Sequence, residues 1–287
     1  MRGITRTIST THADIRLSET EGPGFPIVLL HGSGASRNVF SSQLHSELAE
    51  RHRLILVDLA GHGESGDAHD PAVGYTLQGY ADAVRQVLRS LGIERIVVFG
   101  WSLGGHIGIE LLSQRPELVA GLMLTGTPPV ARGPIGMLRG FHASWDLLLA
   151  SKEVFSDRDV ERYARLCYGD RATPELKDAV RRADGRSRVV LSRSMMRGDG
   201  ADQKHTVESA QVPIAVVSGQ HDPLVRLSYL ASLNYSTLWD GHVHMLPGAG
   251  HAAFRDDPEH FNTLLMRFAA DCEAHKFPLE VPLRRRA

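Results

Sequence analysis

The sequence predicts an α/β fold: a mostly parallel twisted sheet with helices on both faces and an inserted helical cap. Three observations carry that prediction. Short apolar runs alternate with helical patterns along most of the chain, the signature of βαβ units. The runs Ile27–Leu30, Leu54–Val57, Ile96–Phe99, Gly121–Thr125 and Pro213–Val217 are continuously apolar, as strands buried on both faces must be. Between residues 128 and 211 the strand rhythm stops, and helical patterns and loops replace it. The predicted division is therefore a core of 1–127 and 212–287, with a cap over 128–211.

Each element has a local reason. Ile4–Thr11 and Ala13–Glu19 alternate with period two and read as a half-exposed hairpin or edge pair. Glu21-Gly22-Pro23-Gly24 is a turn. Ile27–Leu30 ends in the small loop His31-Gly32-Ser33-Gly34, and a helix is expected from Val39 to Ala49. Leu54–Val57 runs into Asp58-Leu59-Ala60-Gly61-His62-Gly63-Glu64-Ser65. Tyr75–Leu91 carries apolar residues at helical spacing and stops at Gly92. Ile96–Phe99 enters Gly100-Trp101-Ser102-Leu103-Gly104, and a helical pattern leaves through Ile107, Leu111 and Leu112. Within the cap, Val189–Leu191 is the one segment that suggests a strand. Met137, Phe141, Trp145, Phe155 and Tyr163 supply apolar surface there, and the Gly- and Pro-rich residues 128–140 suit a hinge. Val243–Leu246 leads to Gly250-His251, and the last helix begins near Asp257-Pro258-Glu259.

Composition narrows the function classes. The net charge of −1 over 287 residues gives no electrostatic reason to expect nucleic acid or an anionic membrane as partner. The tail Arg284-Arg285-Arg286 reads as a solvated end. Two cysteines, Cys167 and Cys272, make neither a disulfide framework nor a cysteine-based metal site. The first ten residues lack the apolar region of a signal peptide, and no apolar run approaches the ~18 residues of a membrane span. The expectation is a cytoplasmic protein, a monomer or small homo-oligomer, acting on a small molecule.

The chemistry sits in the loops after the strands. Strand, Gly-x-Ser-x-Gly, helix is the setting of a nucleophile elbow, in which Ser102 is held strained above the strand end. A serine hydroxyl needs a base. His251, in Gly-Ala-Gly-His after the last strand, is that base among 15 histidines. Asp222, one strand earlier, orients it and stabilises the imidazolium. His221 is expected to point away. The oxyanion donors are the backbone N–H groups of Leu103 and Ser33. Gly32 and Trp101, beside those donors, are read as substrate-facing. Asp58 and the Gly61–Ser65 turn are read as a buried structural turn. His242-x-His244 is a single pair, and no metal or other cofactor is expected.

These motifs, in the order Ser102, Asp222, His251, resemble the α/β-hydrolase family over nearly the whole chain. Val97–Glu110, Thr125–Arg132, Phe155–Arg165 and Pro213–Val217 also resemble the α/β-hydrolase type of N-acylhomoserine lactonase, a quorum-quenching enzyme. That resemblance implies a metal-independent serine lactonase and a substrate contact from Tyr163, which by spacing alone reads as a packing residue. Two positions depart from the lactonase pattern: Ser33 replaces an asparagine, and Asp222 replaces a glutamate. Ser33 keeps the backbone donor but loses a side-chain amide. Three other readings fit the same motifs: a carboxylesterase, an acyl-homoserine lactone acylase, or a small-molecule receptor derived from a hydrolase.

Overall fold

The computed structural model describes residues 3–143 and 145–274, without the side chains of residues 145–147. The Trp145 side chain and the tail Arg284–Arg286 lie outside the described residues. Apolar alternation at the N-terminus and continuous apolar runs thereafter produce one eight-stranded sheet. Its strands are β1 (Ile4–Ser9), β2 (Asp14–Glu19), β3 (Gly24–Leu30), β4 (His52–Val57), β5 (Ile96–Trp101), β6 (Val119–Thr125), β7 (Ile214–Gly219) and β8 (His244–Leu246). Their spatial order is β1-β2-β4-β3-β5-β6-β7-β8. β1 and β2 form the expected antiparallel hairpin, and β2 pairs antiparallel with β4. Every later pairing is parallel.

The pleat sends successive side chains to opposite faces. In β5, Val98 joins a cluster with Val28, Leu122 and Ile107, while Phe99 joins Leu29, Phe254 and Phe261 on the other face. Helix α1 (Leu77–Ser90) and helix α2 (Leu103–Gln114) pack on the first face. The Thr76 hydroxyl caps α1 by accepting from the Gly79 N–H, which starts the helix at Leu77.

Among the described residues, the chain between β6 and β7 contains no strand of the sheet. It forms helices α3 (Pro134–Gly140), α4 (Asp157–Tyr168), α5 (Pro174–Arg182), α6 (Gly185–Arg197) and α7 (Gln203–Glu208), with a 3₁₀ turn at Trp145–Ser151. Ser156 and Asp159 form a capping box at the start of α4. The last helix, α8 (Pro258–Ala274), covers the second face. Val207 of α7 belongs to the same buried cluster as Ile107 and Leu111 of α2, so this end of the insertion packs as part of the core. No helix among the described residues is long and apolar enough to cross a membrane.

Two local expectations change. Val189–Leu191 lies inside α6 and is no strand. The Asp184 carboxylate caps that helix at one end, and Gly198 closes it at φ 77°. Caps at both ends outweigh the β preference of three residues. The helix expected from Val39 to Ala49 is broken into a 3₁₀ turn at Arg37–Phe40 and two short helices, Ser41–Leu44 and Glu47–Arg51. Ser46, with φ −128° and ψ 172°, interrupts it, and its hydroxyl donates to the Gln43 carbonyl at 2.8 Å.

Candidate active site

Ser102 comes first in the geometry as in the sequence. Ser102 has φ 51° and ψ −115°, a region that side chains with a Cβ seldom occupy. Such a residue costs about 1–3 kcal/mol and persists only where its surroundings over-determine it. They do here. The Ser102 N–H donates to the Thr125 carbonyl at 2.9 Å. Its carbonyl accepts from the Gly105 N–H at 3.0 Å, the His106 N–H at 3.2 Å and the Thr127 hydroxyl at 3.0 Å. The elbow glycines have separate steric reasons. A Cβ on Gly100 would overlap the Gly104 carbonyl, one on Gly104 the Leu30 carbonyl, and one on Gly105 the Thr127 hydroxyl.

Asp222 follows β7 and His251 follows β8. His251 Nδ1 lies 2.9 Å from Asp222 Oδ2, and both side chains are almost fully buried. Asp222 Oδ1 accepts from the N–H groups of Leu224 at 2.8 Å and Val225 at 3.1 Å. Burial pushes the Asp222 carboxyl up, but the His251 charge and these hydrogen bonds outweigh it and hold it below its ordinary value. An ionised Asp222 accepts from the His251 Nδ1–H, which fixes the tautomer and leaves Nε2 as an acceptor. His221 is exposed, and its N–H donates to the Ala249 carbonyl.

Several groups hold the His251 ring. The Trp101 indole donates to the His251 carbonyl at 3.0 Å, and the two rings lie 5.7 Å apart. Trp101 is fully buried, packed against Tyr168 and Phe254. Its place is therefore behind the histidine and Gly32. A Cβ on Gly126 would come within 2.7 Å of His251 Cε1, so that glycine makes room for the imidazole. The Gly250 N–H donates to Asp256 Oδ2 at 2.8 Å and fixes the loop.

The Gly32–Ser33 loop faces the elbow: a Cβ on Gly32 would sit 3.2 Å from Ser102 Cβ. Neither the Ser33 nor the Leu103 N–H has a hydrogen-bond partner among the described residues, and Leu103 is the first residue of α2. The Tyr163 hydroxyl, from cap helix α4, donates to the Ser33 carbonyl at 3.2 Å. Tyr163 is buried, and burial raises its phenol well above the ordinary value. It is therefore a neutral donor that ties α4 to the Ser33 loop.

Behind that loop, His31 Nδ1 donates to the Gly32 carbonyl at 2.8 Å and its Nε2 accepts from the Leu59 N–H at 3.1 Å. Burial lowers its pKa to about 4, so it is neutral at ordinary pH. Asp58 is buried and paired with the Arg37 guanidinium, and it accepts from the N–H groups of Arg37 and Glu64. That arrangement fastens the turn. His31, Gly126 and the bracing role of Trp101 were not visible as such in the sequence, because each depends on a contact with a distant loop.

In the cap, Met137, Phe141 and Phe155 are half-buried. Phe155 packs on Tyr163 at 5.4 Å and lies beneath the Arg188 guanidinium at 3.9 Å. Cys167 and Cys272 are buried, and burial pushes both thiols up to about 12. Neither can serve as a thiolate nucleophile at neutral pH. No group of three or more His, Cys, Asp or Glu that could hold a metal occurs among the described residues.

A strained serine at a strand-to-helix turn, a buried His–Asp pair and two backbone donors without a partner among the described residues all follow the carboxyl ends of strands in the parallel part of the sheet. The family model for the alpha/beta hydrolase fold matches residues 26–258. The chain belongs to the α/β-hydrolase family. Among solved structures, the hydrolase is similar to N-acyl homoserine lactonase AidH complexed with N-butanoyl homoserine. The two are 44% identical with a TM-score of 0.92, covering 96% of this chain and 99% of that one. Among curated proteins it is 27% identical to a pimeloyl-[acyl-carrier protein] methyl ester esterase from Nitrosospira multiformis, over 88% of this chain and 97% of that protein. The esterase RhEst1 from Rhodococcus sp. ECU1013, at 22% identity and a TM-score of 0.77 over 95% of this chain and all of that one, shares the fold.

Proposed function

We propose that this hydrolase opens the lactone ring of N-acyl-homoserine lactones with a Ser102–His251–Asp222 triad. The observation that carries the reading is the 44% identity with AidH in a match that covers 96% of this chain and therefore includes most of the cap as well as the core. Caps select substrates in this architecture because they cover the loops where the chemistry sits.

In the proposed reaction, Ser102 Oγ attacks the lactone carbonyl carbon while His251 Nε2 takes its proton. The oxyanion accepts from the Ser33 and Leu103 N–H groups, each such donor being worth about 3 kcal/mol in the transition state. The ring C–O bond breaks, and the leaving oxygen receives the proton from His251. It remains tethered as the hydroxyl of an acyl-enzyme. Water then attacks the Ser102 ester with His251 as base, and N-acyl-homoserine departs with its carboxylate. Asp222 stabilises the imidazolium in both halves. Removing such a lactone signal is quorum quenching.

The test is mass spectrometry of N-hexanoyl-homoserine lactone incubated with the protein and a chelator, beside Ser102→Ala. A product heavier by one water, absent with Ser102→Ala, supports the reading. Free homoserine lactone plus hexanoate would make the protein an acylase. An untouched lactone together with hydrolysis of a simple methyl ester, toward which the pimeloyl ester esterase similarity points, would make it an esterase.

A further inference from the structure

His106 lies one helical turn after Ser102 on α2, and no step above uses it. Side chains on a helix lean toward its N-terminus, which is here the end that carries Ser102 and Leu103, and the ring is near enough to His251 to feel its charge. Its Nδ1 is 2.7 Å from Gln203 Oε1 of α7, and the Phe141 ring flanks it at 6.1 Å. The residue is buried, with 5% of its surface open. Nε2 has no hydrogen-bond partner among the described residues, yet it is not one of the sealed polar atoms. The Gln203 carbonyl accepts a hydrogen bond from the Nδ1–H of a neutral ring, so Nε2 is left as an acceptor without a protein partner among the described residues and with some surface open. Burial lowers the imidazole pKa to about 4, against the effect of Gln203, which keeps the ring neutral under ordinary conditions.

We infer that His106 is a specificity-determining residue whose Nε2 accepts the amide N–H of an N-acyl substrate. The inference rests on the lactonase reading and extends it to the part of the substrate that distinguishes an acyl-homoserine lactone from a plain lactone. In such a substrate the amide nitrogen is attached to the carbon next to the carbonyl that Ser102 attacks. Its acceptor must therefore lie close to the nucleophile, and one helical turn, about 5.4 Å, is that scale. Gln203 sets the tautomer and acts as a positioning residue. It also ties the recognition to the end of the cap insertion, because α7 closes that insertion.

The experiment compares kcat/KM for N-hexanoyl-homoserine lactone with kcat/KM for γ-decalactone, which has no N–H, in wild type, His106→Leu and Gln203→Leu. His106→Leu is expected to lower the first about tenfold, or ~1.4 kcal/mol, and to leave the second within twofold. Gln203→Leu is expected to act in the same direction by a smaller factor. The γ-decalactone rate doubles as the control for folding. An equal fall on both lactones would make His106 a structural residue and overturn the proposal, as would no change on either. A wild type that opens neither lactone overturns the lactonase reading and this proposal with it.

Discussion

The elbow and the cap are held in place by different physics. The elbow is built from backbone. Ser102 is pinned by bonds to Thr125, Gly105, His106 and Thr127, and its glycines leave no room for a Cβ. The cap is fastened by side chains reaching across long stretches of sequence. Tyr163 grips the Ser33 carbonyl, Arg171 bonds Asp256, Arg182 donates to the Ser65 carbonyl, and Tyr75 pairs with Asp184. One backbone bond joins the Asp184 N–H to the Gly61 carbonyl, and another joins the His142 N–H to the Leu224 carbonyl beside Asp222. Backbone geometry tolerates no substitution, whereas side-chain clasps are graded and separable. The elbow is thus the rigid part of the molecule and the cap the adjustable part.

The sharpest way to break that contrast is in the triad. Asp222→Asn is expected to lower kcat about 10⁴-fold with an unchanged circular dichroism spectrum, because the Leu224 and Val225 N–H groups still find an oxygen. A loss under tenfold would mean that Asp222 does not set the His251 tautomer. Next in size is Gly104→Ala, whose Cβ meets the Leu30 carbonyl. It should cost at least ~3 kcal/mol in urea unfolding, at the upper end of overpacking effects, because a backbone atom cannot swing aside.

Acid tests the buried histidines of the core. His31, His62 and His106 belong to the core, and burial lowers them to about 4, about 3 and about 4. A depressed pKa means that the unfolded chain binds protons the folded chain refuses. Their contribution is therefore complete above about pH 6.5 and is lost as pH falls toward 4. Between those values the stability slope should approach three protons, ~4 kcal/mol per pH unit. His106→Leu should reduce it by about one proton. In the cap, the buried Tyr163 phenol and Cys167 thiol are shifted upward instead and do not titrate in this window.

The cap clasps predict smaller effects. Tyr163→Phe removes one hydrogen bond to the oxyanion loop and should lower kcat/KM about three- to tenfold, or ~0.5–1.5 kcal/mol. Arg171→Ala should change stability by less than ~1 kcal/mol, since Arg171 is exposed and its pair with Asp256 is screened. A tenfold kinetic effect from Arg171→Ala would show that the clasp on the His251 loop governs catalysis.

The amino-acid sequence alone determined the sheet, the chain order of Ser102, Asp222 and His251, and the helical character of the insertion. Those features are local: strand periodicity, a glycine-flanked serine and two loop signatures each lie within a few neighbouring residues. Helix ends were less legible, as Val189–Leu191 and the break at Ser46 show, because capping side chains decide them against propensity. Only the tertiary structure decided that Trp101 braces His251 from behind, that Gly126 clears space for its ring, and that His106 is held by Gln203. Each of those contacts joins residues far apart in sequence. No spacing rule reaches across that distance, and the contacts exist because the parallel sheet brings its strand ends to one edge.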